Sequence, residues 1–366
     1  MNENLFEILR GFRLDSEPVS CEPYGCGHIN RTYLVATAGG RCYILQKINH
    51  HTFRDVAGLM ENIELVTEHL RRKSPDPRSV LTLIRTKDGK SYLEADDGYW
   101  RVFRFVEDSI CLQQPESDAD FYESAVGFGT FQQLLSDFPA EKLHETIPNF
   151  HNTPDRYRAF HETLTRDPMH RAAQVQPEIE FALARQAEMA ALQNALDAGE
   201  LPLRVTHNDT KLNNVLFDAK TRRALCIIDL DTVMPGSALY DYGDSIRFGA
   251  ATAAEDEREL DKMEMSLERF RVFTRGYVRA CPGLTQKELE LLPLGAKVMT
   301  MECGVRFLTD HIDGDNYFSI HREGQNLDRA HTQFKLVADM ERKWDKMKEI
   351  VNEEVQNAKE NGSCCI

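Results

Sequence analysis

The residues with the clearest chemical content lie together in residues 204–249, RVTHNDTKLNNVLFDAKTRRALCIIDLDTVMPGSALYDYGDSIRFG. Asp209 is followed by Lys211 and then Asn214. After the apolar Val215-Leu216-Phe217, a polar turn and a second apolar run come Asp229 and Asp231. This is a loop, a hairpin and a second acidic site, spaced so that both acidic groups can face one cleft. Phosphoryl transfer needs these residue types. One carboxylate orients an acceptor hydroxyl and takes its proton. An amide and a second carboxylate hold magnesium on the phosphates, and a lysine neutralises the moving group. Asp209, Asn214, Asp229 and Lys211 fit those roles in that order, with Asp231 as the fallback ligand on the same face. The alternative is an N-cap aspartate, a structural asparagine and a turn aspartate. It explains each residue singly but not the strand–turn context they share.

The D-x-K-x-x-N spacing with an aspartate on the next hairpin is also that of the protein-kinase catalytic loop, which sets what must lie upstream. Gly25 and Gly27 sit in a turn before a strand that resumes at Tyr33, where a glycine hairpin can bring backbone N–H groups to phosphates. Residues 41–48 form the next strand. Alternation puts Gln46 and Lys47 on opposite faces, so only one looks toward a nucleotide, and the sequence leaves the choice open. Val56, Leu59, Met60, Ile63, Val66 and Leu70 recur at helical spacing over 54–72. Glu64 flanks that stripe and is the candidate partner of a strand lysine. Strands over 80–86, 91–95 and 99–106, separated by Asp88-Gly89 and Asp97-Gly98 turns, complete a five-stranded antiparallel sheet with one helix. It ends at Val106 and Glu107, the place of a hinge whose backbone binds adenine.

From Asp118 the pattern is helical. Phe121, Ala125, Phe128 and Leu135 make a stripe in which Gly127 and Gly129 signal close helix packing. The histidines of 140–175 show no metal-ligand spacing and read as surface. Residues 177–198 read as one helix, Pro235-Gly236 as a turn, and 240–248 as a helix from which Asp241 or Asp244 braces the catalytic loop. Helices follow over 264–280, 285–311 and 328–360. Arg306 on an apolar helix and Tyr317 in a turn stand out. An arginine aimed into the cleft would bind a substrate oxygen, whereas one tied to a local carboxylate would not. The expected fold is α+β and bilobal, of protein-kinase-like type. An N-terminal nucleotide-binding lobe over 1–107 is an antiparallel sheet plus helix, and a mainly helical catalytic and substrate-binding lobe spans 108–366.

The 366 residues carry 59 Asp and Glu against 44 Lys and Arg, a formal charge of −15. That balance argues against nucleic-acid and anionic-membrane partners, which need positive patches. No run is long and apolar enough to span a bilayer. The start lacks a basic, apolar leader, and nine cysteines without CxxC spacing suit reduced thiols. A cytoplasmic location is expected.

The bilobal pattern, HNDTKLNN and IIDLD resemble the aminoglycoside phosphotransferase / choline kinase superfamily of small-molecule kinases. Within it, EPYGCGHINRTYLV, YILQ, LRVTHNDTKLNN, IIDLDTVMPGS, GDSIRFG and TMECGVRFL are closest to members that phosphorylate N-acetylhexosamines, so the resemblance covers nearly the whole chain. It implies ATP and Mg2+ as cofactors and transfer to the anomeric hydroxyl of N-acetylglucosamine or N-acetylgalactosamine. It further implies Asp209 as base, Asn214 and Asp229 as metal ligands, and His28, Arg306 and Tyr317 as sugar contacts. The alternatives are a related kinase acting on another sugar or amino alcohol, or a nucleotide-binding pseudokinase. The intact Asp209, Lys211, Asn214 and Asp229 speak against the last.

Overall fold

Strands β1 (Pro18–Pro23), β2 (Arg31–Thr37), β3 (Cys42–Ile48), β4 (Leu83–Ile84), β5 (Leu93–Ala95) and β6 (Gly98–Arg104) form one antiparallel sheet, ordered β1-β2-β3-β6-β4 with β5 also on β6. This is seen in the computed structural model, which describes residues 2–25 and 29–362. The sheet has six strands rather than five. The added β1 is an edge strand with a proline at each end, a position where the missing N–H costs no ladder bond. The expected strand over 80–86 shrinks to two residues, because Val80 and Leu81 turn inward to the core beneath it.

Period-two alternation sorts the sheet's side chains. Tyr43, Leu45, Trp100 and Val102 pack on one face beneath α1 (Asn2–Arg10), with Ile8 and Leu9. Ile48 and Phe103 pack on the other against Leu59, Ile63 and Val66 of α2 (Val56–Lys73). The second cluster continues through Val205, Cys226 and Leu230 of the catalytic stretch. One apolar core therefore joins the sheet to the elements that carry the acidic groups.

After β7 (Ser109–Cys111) the chain is mainly helical: α3 (Asp118–Leu134), α4 (Thr153–Arg166), the short α5 (Gln176–Leu183), α6 (Gln186–Met189) and α7 (Ala191–Asp197), then α8 (Ala238–Gly249), α9 (Leu267–Ala280), α10 (Gln286–Asp313), α11 (Gln325–Arg342) and α12 (Trp344–Gly362). Gly129 lets α3 close on α9, since a Cβ there would lie 2.9 Å from the Tyr277 carbonyl oxygen. Thr285 and Glu288 form a capping box at the start of α10. The single helix expected over 177–198 is broken into three, with Arg185 at the first break paired to Glu341 of α11 at 2.7 Å. The helix expected over 328–360 breaks at Lys343, whose ammonium turns back to Asp339 and to the Met265 carbonyl. Both breaks let the chain follow the core surface, a tertiary preference that local periodicity does not encode.

Candidate active site

Four short strands carry the catalytic stretch. β8 (Arg204–Thr206) leads in, β9 (Val215–Asp218) and β10 (Ala224–Ile227) form the hairpin, and β11 (Met234–Gly236) returns to pair with β8. Pro235-Gly236 is thus strand rather than turn. Gly236 is needed there, because a Cβ would meet Thr206 Oγ1 at 2.5 Å. Between these strands three non-glycine residues hold left-handed backbone: Arg222 (φ 56°) in the hairpin turn, and Asn208 (φ 65°) and Asp229 (φ 58°) at the acidic groups. Asn208 adjoins and Asp229 carries an acidic group of the site, the pattern of strain held in place by its surroundings at a functional site.

The surroundings are explicit. Asp241 of α8 accepts the backbone N–H groups of His207 (2.9 Å) and Asn208 (2.8 Å) and the amide of Gln132 (3.0 Å). It is the brace of the loop, and Asp244 instead pairs with Arg247 at 2.8 Å. The buried His207 accepts the Asp209 N–H on Nδ1 (3.3 Å) and donates from Nε2 to the Ile228 carbonyl (2.9 Å). Both bonds are met by a neutral ring, and they tie the peptide at Asp209 to the one before Asp229. Asp209 then meets Lys211 at 2.8 Å and accepts the Asn214 amide on its side chain (3.1 Å) and on its carbonyl (2.8 Å). Asp209 and Asp244 together push the Lys211 ammonium above its usual range.

Asp229 lies deep between the lobes yet open to solvent. Burial, then the nearby Asp231 and Asp209, push its carboxyl up to about 7. Such crowding of carboxylates is what a cation would relieve. Among the described residues no three His, Cys, Asp or Glu side chains converge as a metal site. Magnesium does not need that, since it takes one or two carboxylates and fills its remaining positions with phosphate and water. The Asn214 amide oxygen and Asp229 fit it. Asp231 is committed elsewhere: it accepts Asn30 Nδ2 at 2.6 Å and meets Arg101 Nη1 at 2.5 Å.

The sequence model of the phosphotransferase enzyme family (APH) matches residues 20–272, more than half of the chain. The chain belongs to this family. Similar solved structures include the microcompartment-associated aminopropanol kinase (17% identity, 95% of this chain and 99% of that one, TM-score 0.58). Others are choline kinase from Cryptosporidium parvum Iowa II (12%, 96% and 99%, TM-score 0.58) and amicoumacin kinase hAmiN in complex with AMP-PNP, Ca2+ and Ami (12%, 91% and 92%, TM-score 0.55). At these identities the likeness is one of fold.

On the sheet side of the cleft, this phosphotransferase departs from the expected lysine–glutamate pair. Lys47 lies on the α1 face of the sheet, bonded to Asp97 of the β5–β6 turn at 2.7 Å and lying over Trp100. Glu64 pairs with Arg85 at 2.8 Å and not with Lys47. Gln46 takes the cleft-side face, where its cross-strand neighbour is Arg101. Arg101 donates from Nε to Gln46 Oε1 (3.0 Å), and its guanidinium is almost fully buried. A buried strand cation exists, but it is an arginine on β6. Sequence alone gave one signal for it, a charged residue inside an apolar strand. Gly25 keeps the positive φ of a tight turn, while Gly27 and His28 lie outside the described residues. The Val106 carbonyl accepts Ser109 Oγ at 2.6 Å, and Glu107 is exposed.

On the far side of Asp209 the phosphotransferase gathers a second group. Arg306 of α10 lies over the rings of Phe150, Tyr317 and Phe318 and donates to the Tyr317 hydroxyl at 3.3 Å. Among the described residues it makes no direct ion pair. Asp310 accepts the backbone N–H groups of Asn316, Tyr317 and Phe318, which presents the exposed Tyr317 beside it. One turn before Arg306 is the buried Glu302, bonded to Thr153 Oγ1 (2.6 Å) and to His151 Nδ1 (2.8 Å). His151 belongs to the histidine-rich stretch read as surface, but only 8% of it is exposed. Nothing in its sequence neighbourhood signalled that, since its partners lie on α10 and in the catalytic loop.

Proposed function

We propose that the chain is an N-acetylhexosamine 1-kinase, transferring the γ-phosphoryl group of ATP to the anomeric hydroxyl of N-acetylglucosamine or N-acetylgalactosamine. The observation that carries this reading beyond its family is the charge of the acceptor side. Arg306 stands there with Arg156 nearby, and the buried acids of its helix are already engaged, Glu302 by His151 and Thr153 and Asp310 by the N–H groups of Asn316, Tyr317 and Phe318. A cationic acceptor such as choline or an amino alcohol calls for aromatic rings and free carboxylates. A guanidinium instead suits the hydroxyl and amide oxygens of an acylated sugar. ATP use is supported by the family, and by AMP-PNP and Ca2+ in the amicoumacin kinase complex.

In this reading Asp209 accepts the O1 proton as the acceptor attacks. Lys211, held by Asp209 and Asp244, lies beside the transferring group. The Asn214 amide is fixed through its nitrogen, leaving its oxygen, with Asp229, to hold Mg2+. When bound, that ion neutralises the phosphate oxygens. Gly25, Gln46, Val106 and Glu107 line the nucleotide side, and Arg306 and Tyr317 hold the sugar; the family resemblance assigns Gly27 to the first role and His28 to the second. Residues 1–107 form the nucleotide-binding lobe and 108–366 the catalytic lobe of a cytoplasmic enzyme. Among the described residues, no helix is long and apolar enough to cross a membrane.

The test is ATP turnover on a panel of sugars and amino alcohols, followed by phosphorus NMR and a reducing-sugar assay of the product. A 1-phosphate cannot open to the aldehyde, so the product is expected not to reduce copper. A reducing product overturns the anomeric assignment and leaves the kinase. Turnover of choline or aminopropanol in preference to sugar overturns the acceptor class.

A further inference from the structure

His151 has an acceptor on each ring nitrogen. Nδ1 is 2.8 Å from a carboxylate oxygen of Glu302, and Nε2 is 3.1 Å from the Asn208 carbonyl oxygen. A neutral imidazole carries one N–H and satisfies only one of them. His207, two residues before Asp209, shows the contrast, because its ring faces one donor and one acceptor. Glu302 is too buried to meet water, and Thr153 already donates to its other oxygen. Burial works to raise the Glu302 carboxyl, but His151, Arg306 and Arg156 hold it below the usual range. A carboxylate therefore faces a ring that must donate twice. Around the ring also lie Asp244 on α8, the Phe150 ring at 4.5 Å and the Tyr240 ring at 5.5 Å.

The Asn208 carbonyl belongs to the peptide that leads into Asp209, and Asn208 is one of the two left-handed residues of the site. Asp241 holds the N–H side of that residue and His151 holds its carbonyl side. From this geometry we infer that His151 is a doubly protonated positioning residue. Clamped between Glu302 and the Asn208 carbonyl, it sets the orientation of the Asp209 carboxylate and links it to the helix that carries Arg306. The inference rests on the reading of Asp209 as the base of a phosphotransferase. It adds that the acceptor-side helix and the catalytic loop are joined by one charged hydrogen-bonded bridge.

Two measurements test it. The first is 15N NMR of histidine-labelled wild-type protein, with the His151 signals assigned by their loss in His151→Gln. Both ring nitrogens are expected to be protonated at pH 8, where an ordinary histidine is neutral. A single protonated nitrogen overturns the proposal whether or not turnover is seen. The second is kinetics. His151→Gln carries no charge and can donate from one end only, with an acceptor oxygen at the other, and it should lower kcat by about 10²-fold, the scale of a misplaced catalytic group, with the KM for ATP nearly unchanged. Thr153→Val, which leaves the bridge in place, should lower kcat by less than about 10-fold on the same scale. Wild-type kcat in His151→Gln overturns the proposal. Failure of the parent reading looks different, because the wild-type protein then turns over no acceptor at all.

Discussion

Asp209 is fixed from three directions. Lys211 meets one oxygen, the Asn214 amide meets the other, and the peptide before it is held by Asp241 and His151. With its own geometry so constrained, replacing the carboxylate by an amide should leave the fold intact and remove only the proton acceptor. Asp209→Asn is expected to keep ATP affinity and to lose about 10²–10⁴-fold in kcat. Near-normal turnover would take Asp209 out of the mechanism. Arg306 sits at the other limit, since its guanidinium is stacked by aromatic rings and, among the described residues, is hydrogen-bonded only to a tyrosine hydroxyl. Arg306→Ala should raise the KM for the sugar about 10–100-fold, equivalent to the ~1.5–3 kcal/mol of a charge-assisted hydrogen bond. ATP binding, followed by calorimetry, should change little. Loss of both affinities together would make Arg306 a structural residue.

At the scale of elements, the acidic hairpin and the N-terminal sheet are joined through one buried ion pair. Arg101 on β6 reaches Asp231, and Asn30 from the turn before β2 bonds the other oxygen of the same carboxylate. Removing one partner of a buried pair strands a charge, which typically costs about 3–5 kcal/mol, whereas removing both costs far less. Arg101→Met should lower the urea midpoint strongly, and Arg101→Met with Asp231→Leu should recover much of the loss. Strictly additive losses would show that the two side chains act separately. This is also where reading from sequence stopped. The acidic stretch was legible because its chemistry is local, with loop, hairpin and both acidic groups inside thirty residues. The choice between Gln46 and Lys47 was not. It depends on which face of β3 meets α2, and that is settled by register against β6. Arg101, His151 and Glu302 were missed for the same reason, as each has its meaning only beside residues far away in the chain. Asp241 was narrowed to one of two because both aspartates lie on the same helix, and only the packing of α8 against β8 separates them.

For the whole molecule, the buried carboxylates decide how stability responds to acid. Burial works to raise the carboxyl of Asp339, but Lys343, the Met265 N–H and Arg342 hold it below the usual range. Asp244 is held down in the same way by Arg247 and Lys211, as Glu302 is by its three cations. In the unfolded chain these groups protonate near their ordinary values of about 4. Below that pH the unfolded state binds more protons than the folded one, so acid favours unfolding. The stability they contribute is present above about pH 4 and is lost as pH falls through their depressed folded values. Asp339 is the cleanest probe because it lies away from the cleft, joining the end of α11 to Met265 and to the break before α12. Asp339→Asn should lower the urea midpoint at pH 7, and the difference from wild type should shrink as pH is lowered below about 4, where the carboxyl of the unfolded wild-type chain takes up its proton. A gap between the two proteins that stays constant from pH 7 to 3 would mean that Asp339 acts through shape and hydrogen bonding alone, and that the charge of its carboxylate does not hold these helices together.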